Sequence, residues 1–103
     1  MRYKTVNYNI MFDGNTDDCD IIAVPEICVK EFEDLAQAFC DWLTADEAHE
    51  YWYYDARYGF IPAIETSGFV DWLNKRFNLN KGNAVTIVKQ HTKLDSNYPI
   101  IEF

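Results

Sequence analysis

The sequence predicts an α+β fold. The expected form is a single antiparallel or mixed sheet with two main helices packed on one face, in the order β-β-α-(α)-β-β-α-β. Three observations carry this. The stretch from Pro25 to Leu43 has helical periodicity. Tyr3 to Phe12 and Ala84 to Thr92 alternate with the period of a half-buried strand. Dense turn formers separate these segments. Without its first strand the order reads β-α-β-β-α-β, so the ferredoxin-like split arrangement is one option among several.

In chain order, Val6, Tyr8, Ile10 and Phe12 are expected on the buried face of the first strand, with Thr5, Asn7 and Asn9 on the other. Asp13 to Asp18 form a turn. Asp20 to Val24 return as a short buried strand, and Pro25 ends it and opens the helix. On that helix Cys28, Val29, Phe32, Leu35, Ala36, Phe39 and Leu43 share one face. Lys30, Glu31, Glu33, Asp34, Gln37, Ala38 and Asp41 share the other, with Cys40 and Trp42 at the borders. Thr44 and Glu47 have the spacing of a capping box, which starts a short second helix over Ala45 to His49. The aromatic run Tyr51-Trp52-Tyr53-Tyr54 favours a strand. Arg57-Tyr58-Gly59 turns it, and Phe60 to Thr66 return as an edge partner containing Pro62. Ser67 is the expected N-cap of the next helix, whose apolar face is Phe69, Val70, Leu73 and Phe77. Asn78 to Asn83 stop it, Ala84 to Thr92 form a strand, and Ile100 to Phe103 add a last short one.

The pentapeptides Phe39-Cys40-Asp41-Trp42-Leu43 and Phe69-Val70-Asp71-Trp72-Leu73 echo each other. The likeness stops there, and any helix edge packed on a sheet uses Phe, Trp and Leu at i, i+3 and i+4.

At 103 residues the chain suits one domain, 1–103. With 49% hydrophobic and 17% aromatic residues, it has the material for a packed core. No apolar run approaches the ~20 residues of a membrane span, and Met1 to Thr5 lead into polar alternation, so no signal peptide and a cytoplasmic address are expected. Three cysteines, Cys19, Cys28 and Cys40, without CxxC spacing argue against a disulfide framework or a zinc ribbon. Cys19 is expected to be exposed among Asp17, Asp18 and Asp20, whose charge opposes a thiolate.

The net charge is −8 and unevenly spread. Thr5 to Ala56 hold thirteen acidic residues and one basic one, whereas Arg57 to Phe103 hold four acidic and six basic. Such a surface repels nucleic acid and anionic membranes and attracts basic protein surfaces.

The patterns that carry catalysis are missing. Asp13, Asn15 and Asp17 have calcium-loop spacing, but Asp18 stands where glycine is needed and Val24 where a bidentate glutamate is needed. His49 and His91 form no HExxH pair, and there is no GxSxG, P-loop or dinucleotide fingerprint. Neither an enzyme nor a cofactor or metal site is expected.

The expectation is a small acidic protein-binding module. Its candidate partner-binding residues are Glu31, Glu33, Asp34, Asp41, Asp46, Glu47, Glu50, Tyr51 and Tyr53. The partner is a basic protein surface. A sharper version is a nucleic-acid mimic that inhibits a DNA- or RNA-handling protein, of the type carried by phages and mobile elements. The alternatives are a homodimeric structural protein joined through an aromatic sheet face and, third in order, a small enzyme.

Overall fold

The long alternating segment pairs with the apolar segment that follows it. β1 (Thr5–Met11) and β2 (Cys19–Pro25) form an antiparallel hairpin with Tyr8 opposite Ile22 and Val6 opposite Val24. The computed structural model describes residues 4–26, 35–44, 52–62, 64–79 and 84–103. The remaining elements are α1 (Leu35–Thr44), β3 (Trp52–Asp55), β4 (Gly59–Pro62), α2 (Thr66–Arg76), β5 (Thr86–Thr92) and β6 (Ile100–Glu102).

The fold is a small α+β one with two sheets. The larger has four strands in the order β5-β2-β1-β6. It is mixed, because β1 and β6 run parallel while the other pairs are antiparallel. β3 and β4 form a separate two-stranded antiparallel sheet. The single sheet expected from the sequence is therefore corrected to two. A split β-α-β sheet would interleave β3 and β4 with the other strands, and here they pair only with each other among the described residues.

Both helices bury their apolar stripes in one cluster with the sheet. Leu35, Phe39 and Leu43 of α1 and Phe69, Val70, Trp72 and Leu73 of α2 join Tyr8, Ile10, Ile22, Val24 and Ile101. The echoing pentapeptides meet in this core. The Phe39 and Phe69 rings pack edge to face at 5.3 Å, and the Trp42 and Trp72 rings lie 6.4 Å apart. Asp41 and Asp71, the middle residues of the two pentapeptides, are both exposed. The repetition thus reflects one packing requirement met twice. Phe103 completes the cluster, 5.1 Å from Phe69 and 5.9 Å from Phe39.

The element ends meet some expectations and correct others. Pro25 ends β2 as expected, opposite Thr5, and the next amide, of Glu26, donates to the Lys4 carbonyl at 2.8 Å; the helix start expected after it lies outside the described residues. The described helix begins at Leu35, and Phe32 lies outside the described residues. The Thr44 hydroxyl points back along α1, donating to the carbonyls of Cys40 and Asp41 at 3.0 and 3.1 Å. Glu47 and the helix expected over Ala45 to His49 lie outside the described residues. Ser67 is not the N-cap of α2. Glu65 holds that position without a side-chain cap bond, and Thr66 begins the helix. Phe77, at the C-cap of α2, is half-buried and packs against the edge of the core cluster.

Asn9, expected to face solvent, is fully buried. Its Nδ2 donates to the carbonyls of Asp95 and Tyr98 at 2.8 and 3.0 Å, and its Oδ1 accepts the Asp95 amide at 3.0 Å. The side chain thereby supplies the partners that the β5–β6 connection cannot find in a ladder. Asp20 makes a comparable tie. Its carboxylate accepts the Thr66 hydroxyl at the start of α2 and the His91 amide of β5 at 3.0 Å.

Candidate interaction surface

The β3–β4 hairpin is built locally. Asp55 Oδ1 accepts the amides of Arg57 and Tyr58 at 2.7 and 3.2 Å, which folds the turn. Gly59 follows at φ 78°, a left-handed conformation without steric cost for glycine. The register sets Trp52 opposite Pro62, Tyr53 opposite Ile61 and Tyr54 opposite Phe60. The Trp52 side chain ties the hairpin to the helical layer: its indole donates to the Leu43 carbonyl of α1 at 2.7 Å.

Beyond Trp52 the hairpin turns its rings to water. Tyr53, Tyr54, Tyr58 and Phe60 are 51%, 67%, 75% and 69% exposed. Ile64, just past β4, is also exposed. Tyr54 and Phe60 pair edge to face across the strands at 5.5 Å. Exposed aromatics grouped in this way mark interaction surfaces more often than isolated ones do.

Of the nine candidate residues, Asp41 and Tyr53 are described and both are exposed. Asp41 sits on the outer face of α1, where its Oδ1 accepts the Gln37 amide group at 2.9 Å. Glu31, Glu33, Asp34, Asp46, Glu47, Glu50 and Tyr51 lie outside the described residues. The last turn of α1 has no basic side chain to offset the partial negative charge of its C-terminus. Tyr58 and Phe60 were missed as surface residues. For Phe60 the signal for its pairing was available: the residue directly after the turn glycine pairs with the one directly before the turn aspartate, Tyr54.

A second polar group lies where β2 meets β5. The His91 Nδ1 is 2.9 Å from Asp18 Oδ1, with both side chains mostly exposed. This hydrogen bond raises the imidazole pKa above its ordinary value, and the Asp18 charge adds to the shift. His91 has φ 55°, next to an irregular stretch of the β2–β5 ladder. Cys19 is buried there, not exposed as expected, and its thiol donates to the Asn15 carbonyl at 3.3 Å. Burial first, then Asp18, Asp20 and Asp17, raise its pKa, which disfavours the nucleophilic thiolate. The turn residue Asn15 serves the loop itself, its Oδ1 accepting the Asp17 amide at 3.0 Å.

Comparison with protein-family models, with curated proteins and with solved structures finds no match for this chain. Among the described residues no helix is long and apolar enough to cross a membrane.

Proposed function

We propose that this protein is a small cytoplasmic protein-binding module whose partner presents a basic surface. The observation that carries the reading is the group of four exposed aromatics on β3–β4, in a chain of net charge −8. The aromatics supply contact area with little side-chain entropy to lose, and the acidic stretch from Glu31 to Asp55 steers the encounter. The sharper form is a nucleic-acid mimic, in which the acidic side chains occupy the basic groove of a DNA- or RNA-handling protein.

The test reverses Glu31, Glu33 and Asp34 together to lysine. Partners are captured from the source organism with wild-type and reversed protein, and association is measured at two salt concentrations. Wild-type association slows as salt rises, and reversal slows it further while thermal stability stays the same. Identical partners with an identical salt response would reduce the acidic face to a solubility device. The mimic form also requires the captured partner to lose affinity for nucleic acid when this protein is bound.

A further inference from the structure

We propose that Asp13–Gly14 is a self-modification site, where the aspartyl side chain closes onto the next amide and reopens as isoaspartate. The inference is independent of the function proposed above.

The reaction needs a free carboxyl, a free amide after it, and a backbone that can bring the two together. The chain has a single Asp-Gly or Asn-Gly step, and it is this one. Both residues are exposed in the turn after β1. Among the described residues neither the Asp13 carboxyl nor the Gly14 amide has a hydrogen-bond partner. A side chain added at Gly14 would meet nothing within 4 Å, so the carboxyl has room to approach. Other aspartates are held. Asp55 Oδ1 accepts its turn amides, Asp95 Oδ1 accepts the Asn97 amide at 2.9 Å, and Asp18 and Asp20 are bonded to His91. Asp71 is followed by an amide inside α2, where the helix ladder takes it.

The backbone is also prepared. Asp13 and Gly14 have φ 52° and 70°, and the Asn15 amide donates to the Phe12 carbonyl at 3.0 Å, which makes a type I′ turn. Turning over the peptide plane between Asp13 and Gly14 converts it to type II′. That change keeps the positive φ of Asp13 and asks only Gly14 to reverse its sign, which glycine does without steric cost. It brings the Gly14 nitrogen round to the Asp13 side chain.

The Gly14 nitrogen then bonds to Cγ of the protonated acid. The Cγ–hydroxyl bond breaks, the amide proton joins the leaving hydroxyl, and water departs from a succinimide ring. Water adds back across either imide bond. Breaking the bond from nitrogen to Cγ restores aspartate. Breaking the bond from nitrogen to the main-chain carbonyl leaves isoaspartate, with no net change in mass. The main chain then runs through Cβ and is one atom longer. The lengthened turn leads into Asn15 and Thr16, whose carbonyls accept the Cys19 thiol and the Leu94 amide.

The test incubates the full chain in water enriched in heavy oxygen, folded in mildly acid buffer and unfolded in guanidinium, with circular dichroism monitoring the fold. Peptide maps over time quantify isoaspartate at residues 13 and 95. In the folded chain it accumulates at 13, carries one heavy oxygen, and follows a species lighter by one water; residue 95 stays aspartyl. In guanidinium both sites react. Asp13→Glu abolishes the reaction, because the larger ring closes far less readily, and Asp13→Asn speeds it by losing ammonia in place of water. The folded and unfolded wild type decide the matter even if a variant does not fold. No isoaspartate at 13 in the folded chain, isoaspartate there without heavy oxygen, or folding that slows residue 13 as strongly as residue 95 overturns the inference.

Discussion

Asn9 carries the most exposed structural prediction. Its side chain is fully buried and makes three hydrogen bonds of 2.8 to 3.0 Å to backbone groups of Asp95 and Tyr98. Each such bond contributes a net ~0.5–1.5 kcal/mol, so Asn9→Ala should destabilise the protein by about 2–4 kcal/mol. For a chain of this size that lowers the melting temperature by roughly 10–30 °C. Asn9→Leu fills the space but satisfies none of the three groups, so it should cost at least as much as alanine. Asn9→Asp is the diagnostic change. It sets a carboxylate against two carbonyl oxygens, so the introduced group has a raised folded-state pKa and the loss is greatest at neutral pH. Below the pKa the protonated acid donates to one carbonyl and part of the stability returns. The control is Asn7→Ala, two residues earlier on β1 and half-buried, which should cost about 0.5 kcal/mol or less. Urea melts of the four variants at neutral and mildly acid pH decide the matter. Equal losses for Asn9→Ala and Asn7→Ala, or an Asn9→Asp loss independent of pH, would refute the reasoning.

Phe39, fully buried and in contact with the rings of Phe69, Trp72 and Phe103, should cost about 3–5 kcal/mol as Phe39→Ala. Asp41→Ala on the exposed face should cost less than about 0.5 kcal/mol, and denaturant melts giving equal losses would overturn the helix-face assignment. Thr44→Ala should shift stability by no more than about 0.5 kcal/mol, because a hydroxyl bonded back to its own helix contributes little. A loss near 1 kcal/mol, with Thr44→Gly milder, would instead show an N-cap to a following helix. Asp18→Asn should lower the His91 pKa toward ordinary values in an NMR titration. Since the folded pKa is raised, the pair's stabilisation is full below the unfolded value of ~6.5 and is lost as pH rises through the folded one. Identical titration of His91 in the two proteins would sink this account.

Local signals were legible in the sequence and long-range polar ones were not. The alternation of β1, the apolar stripe of α1 from Leu35 to Leu43, and the turn between Asp55 and Gly59 each rest on neighbours a few residues apart. The ties that join elements span 86 positions for Asn9–Asp95, 71 for Asp20–His91 and 46 for Asp20–Thr66. Period-two alternation marks Asn9 as polar and cannot say that a loop will cover it. Pro25 fits the last position of a strand and the approach to a helix alike, and its pairing with Thr5 shows the first. Thr44 shows the same ambiguity, because one hydroxyl can cap the helix ahead or close the helix behind. On the candidate surface, the acidic run announced itself by composition. The pairing of Phe60 with Tyr54 could be read from the turn, but the exposure of both rings, and of Tyr58 within the turn, could not.

The hairpin also bears on why its rings face water at all. Folding gains little from them. Trp52 supplies the anchor to α1, and Asp55 with Gly59 supplies the turn. The cross-strand ring pair, Tyr54 with Phe60, contributes only about 0.2–1 kcal/mol, which a threonine pair or an opposite-charge pair would match. Such replacements would remove the liability of an exposed aromatic patch on a short two-stranded sheet. Stability alone therefore accounts for Trp52, Asp55 and Gly59 but not for Tyr54, Tyr58 and Phe60. The partner-binding surface proposed above would account for those three. It would also account for their separation from the core cluster, because rings that do not hold the fold together could be buried by a partner without rearranging it.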